Sequence, residues 1–284
     1  MSLLSWNCRG IGSPRAVRDL CLMVKDNKPN ILFLMETKCR KEKLEVIRVK
    51  LGFAGLFVVD SVGMSGGLAL FWKDGDELEI KNYSRRHINA IVKQVDNANF
   101  WKLTCFYGHP VWTKRHESWA LLRHLKIFNP EPWLVLGDFN EILSQDEKSG
   151  VLVRREGQMD LFREALEECY LSDLGYKGPK YTWNNCRESD SFTKERLDRA
   201  VANSSWCADF RMVEVRVLAR CSSDHKPIIV QLDSGKGARV GYNRIFKVEA
   251  SWMLDDEFDQ TVCDAWDEGG LGGLEDAASS PKIV

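Results

Sequence analysis

PWLVLGDFN, residues 132–140, holds a five-residue apolar run that stops at a glycine, an aspartate and an asparagine. The apolar residues read as a buried strand. Asp138 and Asn140 then stand at its end, two residues apart, so on strand geometry they point to one face. A strand that delivers polar groups at its end is a device of layered α/β scaffolds, where rigid elements hold ligand-binding groups and loops leave access.

The same arrangement recurs along the chain. Asn7 ends SLLSWN and Glu36 follows NILFLM. Tyr107 and His109 follow KLTCF, and Arg196 and Asp198 flank Leu197 before AVA. Asp224 and His225 immediately precede a proline and the run IIV. Singly, each is an ordinary turn, cap or surface pair. If the strand ends converge, one cleft gains several carboxylates, two amides, a tyrosine and a histidine. Oxygen donors of that kind suit Mg²⁺ or Mn²⁺; the sulfur-rich spacing that zinc prefers is absent.

Between these points, strand-like runs of six to nine residues outnumber amphipathic segments. Helices are predicted over 14–28, with Ser13 as N-cap and Pro14 in the first turn, and over 40–53, 113–128 and 157–169. Strands are expected at 2–7, 30–37, five times between 55 and 108, at 132–140, and in YTWNN, KERLDRAVAN, FRMVEVRVLA and KPIIVQL. QVDNANF reads as a hairpin turn between two of them. Many strands joined by short turns predict mixed, largely antiparallel sheets rather than a doubly wound parallel one. Two sheets packed face to face with helices outside, an α/β (α+β) four-layer α/β/β/α sandwich, is the economical layout.

The chain has 284 residues, 44% hydrophobic, with a net charge of −1. The charge is uneven. Residues 234–284 hold 5 Lys/Arg and 10 Asp/Glu, whereas 1–233 hold 35 and 31. A body of +4 permits phosphate contact without requiring it. The expected division is therefore a domain over 1–233 and an acidic, linker-like, poorly ordered tail over 234–284. Nine cysteines without CxxC pairs, and no apolar stretch of membrane-spanning length or secretory signal, point to a reducing intracellular setting. No targeting signal is recognised, and no membrane or obligate protein partner is implied.

The motifs WN (6–7), ET (36–37), YGHP (107–110), GDFN (137–140), RLDR (196–199) and SSDH (222–225) occur in an order and spacing that resembles the endonuclease/exonuclease/phosphatase family, similar to DNase I and exonuclease III-type apurinic endonucleases. LLSWNCRGIG, GDFNEIL, SSDHKPI and FKVEASWM (246–253) resemble the endonuclease domain of plant LINE-type non-LTR retrotransposons and the segment that follows it. No reverse transcriptase region follows, so a fragment, truncated copy or isolated gene product is expected.

The resemblance implies a DNase I-like fold and Mg²⁺-dependent hydrolysis of a phosphodiester, with Mn²⁺ as a substitute and duplex DNA as substrate. It implies a nuclear site of action where chromosomal DNA is cut. Glu36 would hold the metal, assisted by Asn7 and Asp224. Asp138 would orient or deprotonate water, with Asn140 on the phosphate. His225 would contact the phosphate, Asp198 would orient His225, and Tyr107 would act on the phosphate or leaving-group side. Thr182, Ser223 and Arg187 would lie near the substrate, Arg187 in the hairpin 184–195. The alternatives are a phosphatase or RNA exonuclease on the same scaffold, or an inactive fragment.

Overall fold

Ser13 and Pro14 start the first helix as their chemistry dictates. The Ser13 hydroxyl accepts from the Ala16 N–H, and proline occupies the first turn, where no intrahelical donor is lost. In the computed structural model this helix, α1, spans Pro14–Asn27 and ends at Lys28 in the left-handed conformation. The structure describes residues 1–63, 65–73, 78–93, 100–126, 131–187, 191–219 and 222–232. Helix α2, Lys41–Leu51, closes on Gly52 at φ 70°, a glycine C-cap.

Strands are numbered in chain order. The first sheet runs in space β14 (Val213–Val217), β15 (Ile228–Leu232), β1 (Ser2–Asn7), β2 (Ile31–Met35), β4 (Leu68–Trp72), β3 (Gly55–Val59). The second runs β10 (Ser172–Asp173), β13 (Asp198–Ala202), β8 (Trp133–Asp138), β7 (Phe100–Tyr107), β6 (His87–Lys93), β5 (Leu78–Ser84). Among the described residues, two strand pairs in these sheets are parallel: β1 with β2, joined through α1, and β7 with β8, joined through α3 (Arg115–Leu125). A small third sheet orders β11 (Trp183–Asn184), β12 (Lys194–Glu195) and β9 (Lys148–Ser149).

Side-chain alternation builds the layers. Leu3, Phe33 and Leu70 of the first sheet meet Leu103, Leu136 and Ala200 of the second in the central core. Leu4, Leu34 and Phe71 point outward and pack under Leu20 of α1 and Leu44 of α2. Phe106, Val135 and Val201 likewise pack under Trp119 of α3 and Phe162 of α4 (Glu156–Glu168). The described residues form the expected four-layer α/β/β/α sandwich.

Several local expectations differ from the structure. KERLDRAVAN, expected as one strand, divides into β12 and β13 in different sheets, with Arg196 and Leu197 crossing between them. YTWNN contributes only Trp183–Asn184. SSWCAD forms a helix, α5 (Ser204–Asp209), because the Asn203 side chain caps it at Trp206 N and Trp206 is drawn into the central core. The helix expected over 113–128 begins instead with a 3₁₀ turn, Trp112–Lys114, ahead of α3. Residues 94–99 of the QVDNANF turn and the tail 234–284, including FKVEASWM, lie outside the described residues.

Candidate active site

The four central strands of the two parallel pairs end on the same side of the sandwich. Asn7 is the last residue of β1, Met35 precedes Glu36 at the end of β2, and Tyr107 and Asp138 are paired last residues of β7 and β8. β13 runs antiparallel to β8 and begins at Asp198, the register partner of Asp138. β15 runs antiparallel to β1, which brings the preceding His225 to the same end. The rows Leu134–Leu136–Asp138, Leu103–Cys105–Tyr107 and Asp198–Ala200–Ala202 share the inner face. The polar residues are thus the last members of the rows that build the central core, and the cleft sits where that core meets the loops.

Two glycines let the strands approach this end. A Cβ on Gly137, at φ 145°, would lie 1.9 Å from the Phe106 carbonyl oxygen, and one on Gly108 would lie 2.1 Å from that of Phe139. Glu36 at φ 50° and Asn140 at φ 55° turn sharply as they leave β2 and β8.

Asp138 is fully buried and is the hub of the site. Its Oδ2 accepts from Asn7 Nδ2 at 2.9 Å and Asn140 Nδ2 at 3.2 Å, and Oδ1 accepts from the Asn140 N–H at 2.8 Å. His225 Nε2 stands 3.8 Å from Asp138 Oδ2, and His225 Nδ1 lies 2.9 Å from Asp198 Oδ2. Burial opposes a charge on His225, but the carboxylates of Asp198 and Asp138 outweigh it and push its pKa up to about 9. Burial pushes Asp138 up to about 7 against the pull of His225. A buried acid and an imidazole a short step apart can hand a proton between themselves and a water in the cleft.

Glu36 lies at the lip, its side chain 18% exposed. Its Oε1 accepts from the Tyr107 hydroxyl at 2.8 Å and Asn7 Nδ2 at 3.3 Å. Lys38 Nζ stands 3.2 Å from Oε2 and Arg9 Nε 4.0 Å. Burial would raise its pKa, but the Tyr107, Asn7 and Lys38 donors hold it lowered. An ionised, partly exposed carboxylate offers the kind of oxygen ligand a hard divalent cation takes. Asp138, Asp198 and His225 also offer three ligand atoms within 4.8 Å of one another. A protonated His225 has no lone pair to give, so that trio is suited to proton handling.

The remaining expectations fare differently. Asp224 stands across the Arg9 guanidinium from Glu36: its Oδ2 accepts from Trp183 Nε1 at 2.9 Å and from Arg9 Nη1, and its Oδ1 accepts from the Ser223 hydroxyl at 3.3 Å. Ser223 is buried, and its hydroxyl also donates to the Asn7 carbonyl at 2.7 Å while accepting from His225 N at 3.2 Å. It clasps the 222–225 loop to β1. Thr182 has no exposed surface; its Oγ1 accepts from Leu197 N at 3.0 Å and Asp198 N at 2.9 Å, so it positions Asp198 from below. Arg187 is exposed on the hairpin that follows β11, its backbone N–H on Asn185 Oδ1, and no described hydrogen bond joins it to the cluster. Sequence reasoning passed over Arg9, Lys38, Trp183 and Arg86, whose guanidinium lies 5.1 Å over the Tyr107 ring. Arg9 carried a signal, two residues beyond Asn7; the others are assembled by the fold.

This architecture is similar to that of solved nucleases. A 3′ phosphatase, NExo, from Neisseria, bound to product DNA hairpin, aligns at TM-score 0.62 and 19% identity over 82% of this chain and 99% of that one. The endonuclease domain of TRAS1, a telomere-specific non-LTR retrotransposon, aligns at TM-score 0.59 and 17% identity over 83% and 99%. An AP endonuclease from Archaeoglobus fulgidus aligns at 0.62 and 17% over 82% and 99%. No curated protein sequence matches. The sequence profile of the Endonuclease/Exonuclease/phosphatase family does match, over residues 4–225, from the first inner strand to the histidine beside Asp138. That span contains every strand end that builds the cleft, and the chain belongs to this family.

Proposed function

We propose that the protein is a divalent-metal-dependent phosphodiester hydrolase and that it nicks duplex DNA as a retrotransposon-type endonuclease. The observation that carries this reading is the convergence on one cleft of Asp138, His225 and Asp198 with the ionised Glu36. The likeness to the TRAS1 endonuclease domain supports the retrotransposon reading, and the DNA hairpin on the Neisseria enzyme supports DNA as substrate.

Glu36 would hold Mg²⁺, or Mn²⁺ in its place, with the amide of Asn7 beside it. When bound, the ion neutralises charge on a phosphate oxygen, an effect worth several kcal/mol in a hydrolytic transition state. The other steps belong to the chain. Asp138, its pKa near neutrality, accepts the proton of the attacking water. Asn140 holds the Asp138 carboxylate in place through two hydrogen bonds. The His225 imidazolium donates to the phosphate as negative charge develops there, and Asp198 keeps its ring oriented. Tyr107 lies between Glu36 and the guanidinium of Arg86, where its hydroxyl borders the phosphate position. Lys38, Arg9 and Arg86 bring cationic donors to this rim of the cleft, where a polyanion's phosphates could meet them.

Supercoiled plasmid with Mg²⁺ provides the test. Relaxation is expected, abolished by EDTA and reduced about 10²–10⁴-fold in Asp138→Ala and His225→Ala. Release of phosphate from an inositol polyphosphate or a 3′-phosphorylated oligonucleotide without plasmid nicking would replace the endonuclease reading with a phosphatase. Nicking that survives EDTA would end the metal reading.

A further inference from the structure

Arg9 stands two residues past the end of β1 with φ 46°. Its side chain is 51% exposed, yet it reaches two carboxylates of the cleft. Nη1 donates to Asp224 Oδ2, and Nε lies 4.0 Å from Glu36 Oε2. Asp224 accepts from three protein donors, Arg9 and Trp183 Nε1 on one oxygen and the Ser223 hydroxyl on the other. Its side chain is only 8% exposed. Glu36, by contrast, faces the opening with Lys38 at its side. Glu36 and Asp224 contribute two negative charges, and Arg9 and Lys38 contribute two positive ones. The pair of carboxylates is already neutralised by the chain's own cations.

We propose that Arg9 is the resident cation of this cleft: it removes Asp224 from the metal-ligand set, leaves a single divalent ion on Glu36, and presents its free guanidinium edge to the substrate's phosphate. The inference rests on the metal-dependent reading above and goes beyond it in naming the stoichiometry and the group that sets it. A guanidinium has five donors in a planar fork, so an arginine anchored on Asp224 keeps donors for a phosphate oxygen. Displacing Arg9 from between two carboxylates opposes binding of a second cation, and a balanced site binds metal weakly until a phosphate arrives with its own negative charge.

The test is a Mn²⁺ titration without substrate, read by electron paramagnetic resonance, on wild type, Arg9→Gln, Arg9→Lys, Asp224→Asn and Glu36→Gln, each checked by circular dichroism for folding. One Mn²⁺ per chain is expected in wild type. Arg9→Gln should tighten it by about tenfold, the worth of a unit charge beside a divalent ion in a water-screened cleft. Arg9→Lys should stay close to wild type, Asp224→Asn should keep one ion, and Glu36→Gln should lose it. The salt slope of duplex binding should fall by about one in Arg9→Gln, as for loss of one phosphate contact. An unchanged Mn²⁺ affinity in Arg9→Gln, or an ion lost in Asp224→Asn, would overturn the role of Arg9 while leaving the metal reading standing. Absence of Mn²⁺ binding in both wild type and Arg9→Gln would overturn the metal reading itself.

Discussion

His225 lies between two carboxylates, Asp198 at Nδ1 and Asp138 at Nε2. Catalysis by this arrangement needs Asp138 ionised and His225 protonated, so kcat/KM should follow a bell. The rising limb should lie near pH 7, where Asp138 loses its proton, and the falling limb near pH 9, where His225 loses its own. Asp198→Asn removes one of the charges that hold His225 up, so the falling limb should move toward neutral pH. A falling limb that stays in place would show that Asp198 does not set the imidazole's charge. The same shifts act on stability. Both folded-state pKa values are raised, so the stabilising proton on His225 is fully in place below about pH 6.5 and lost as pH rises through about 9. The proton on Asp138 is likewise lost as pH rises through about 7. Metal-free protein should therefore lose these contributions, read in urea, from about pH 4 to 7 through Asp138 and from about 6.5 to 9 through His225, and His225→Gln should remove the upper part of that decline.

At the scale of elements, β13 is the strand whose start matters most, because Asp198 is its first residue. Thr182 holds that start by accepting from the N–H groups of Leu197 and Asp198. Thr182→Val keeps the shape but leaves two buried donors without their acceptor, a cost of about 2–4 kcal/mol. Activity should fall with it, and Thr182→Ser should restore both; a fully active Thr182→Val protein would mean that Asp198 needs no such anchor. Gly137 plays the matching part for β8. Its φ of 145° and its contact with the Phe106 carbonyl leave no room for a Cβ, so Gly137→Ala should cost at least about 3 kcal/mol, measured by chemical denaturation. These elements were unevenly legible. Strands 78–84 and 213–217 announce themselves by alternation. α5 is six residues with a single buried tryptophan, too short to show a period, and it forms because Asn203 caps it and Trp206 has a core to enter.

At the scale of the whole molecule, a buried square of charge joins separate parts of the chain. Arg199 bonds Asp173 Oδ2 at 2.7 Å and Glu147 Oε2 at 2.6 Å; Arg196 bonds Glu147 Oε1 at 2.7 Å and Asp173 Oδ1 at 2.8 Å. Burial would raise Glu147 and Asp173, but the two guanidinium groups hold both lowered. Their contribution is therefore present above the ordinary carboxylate range and is lost as pH falls through the lowered values. Removing one corner strands the others, so Arg199→Ala should cost about 3–5 kcal/mol. A loss below about 1 kcal/mol in denaturant unfolding would contradict a load shared by all four groups.

What the sequence determined by itself was local. Period and parity placed the strands, and the polar residues at the ends of apolar runs marked Asn7, Glu36, Tyr107, Asp138, Asp198 and His225 before any of them could be seen together. Those signals survive in one dimension because alternation and capping depend on near neighbours. Only the tertiary structure decided what faces what. It set Arg9 against Asp224 across 215 residues, turned Thr182 and Ser223 inward to hold backbone, and split Arg196 and Leu197 from the strands on either side. Charge pairing and the satisfaction of buried donors are contacts through space, and nothing in the spacing of residues along a chain encodes which distant partner will meet them.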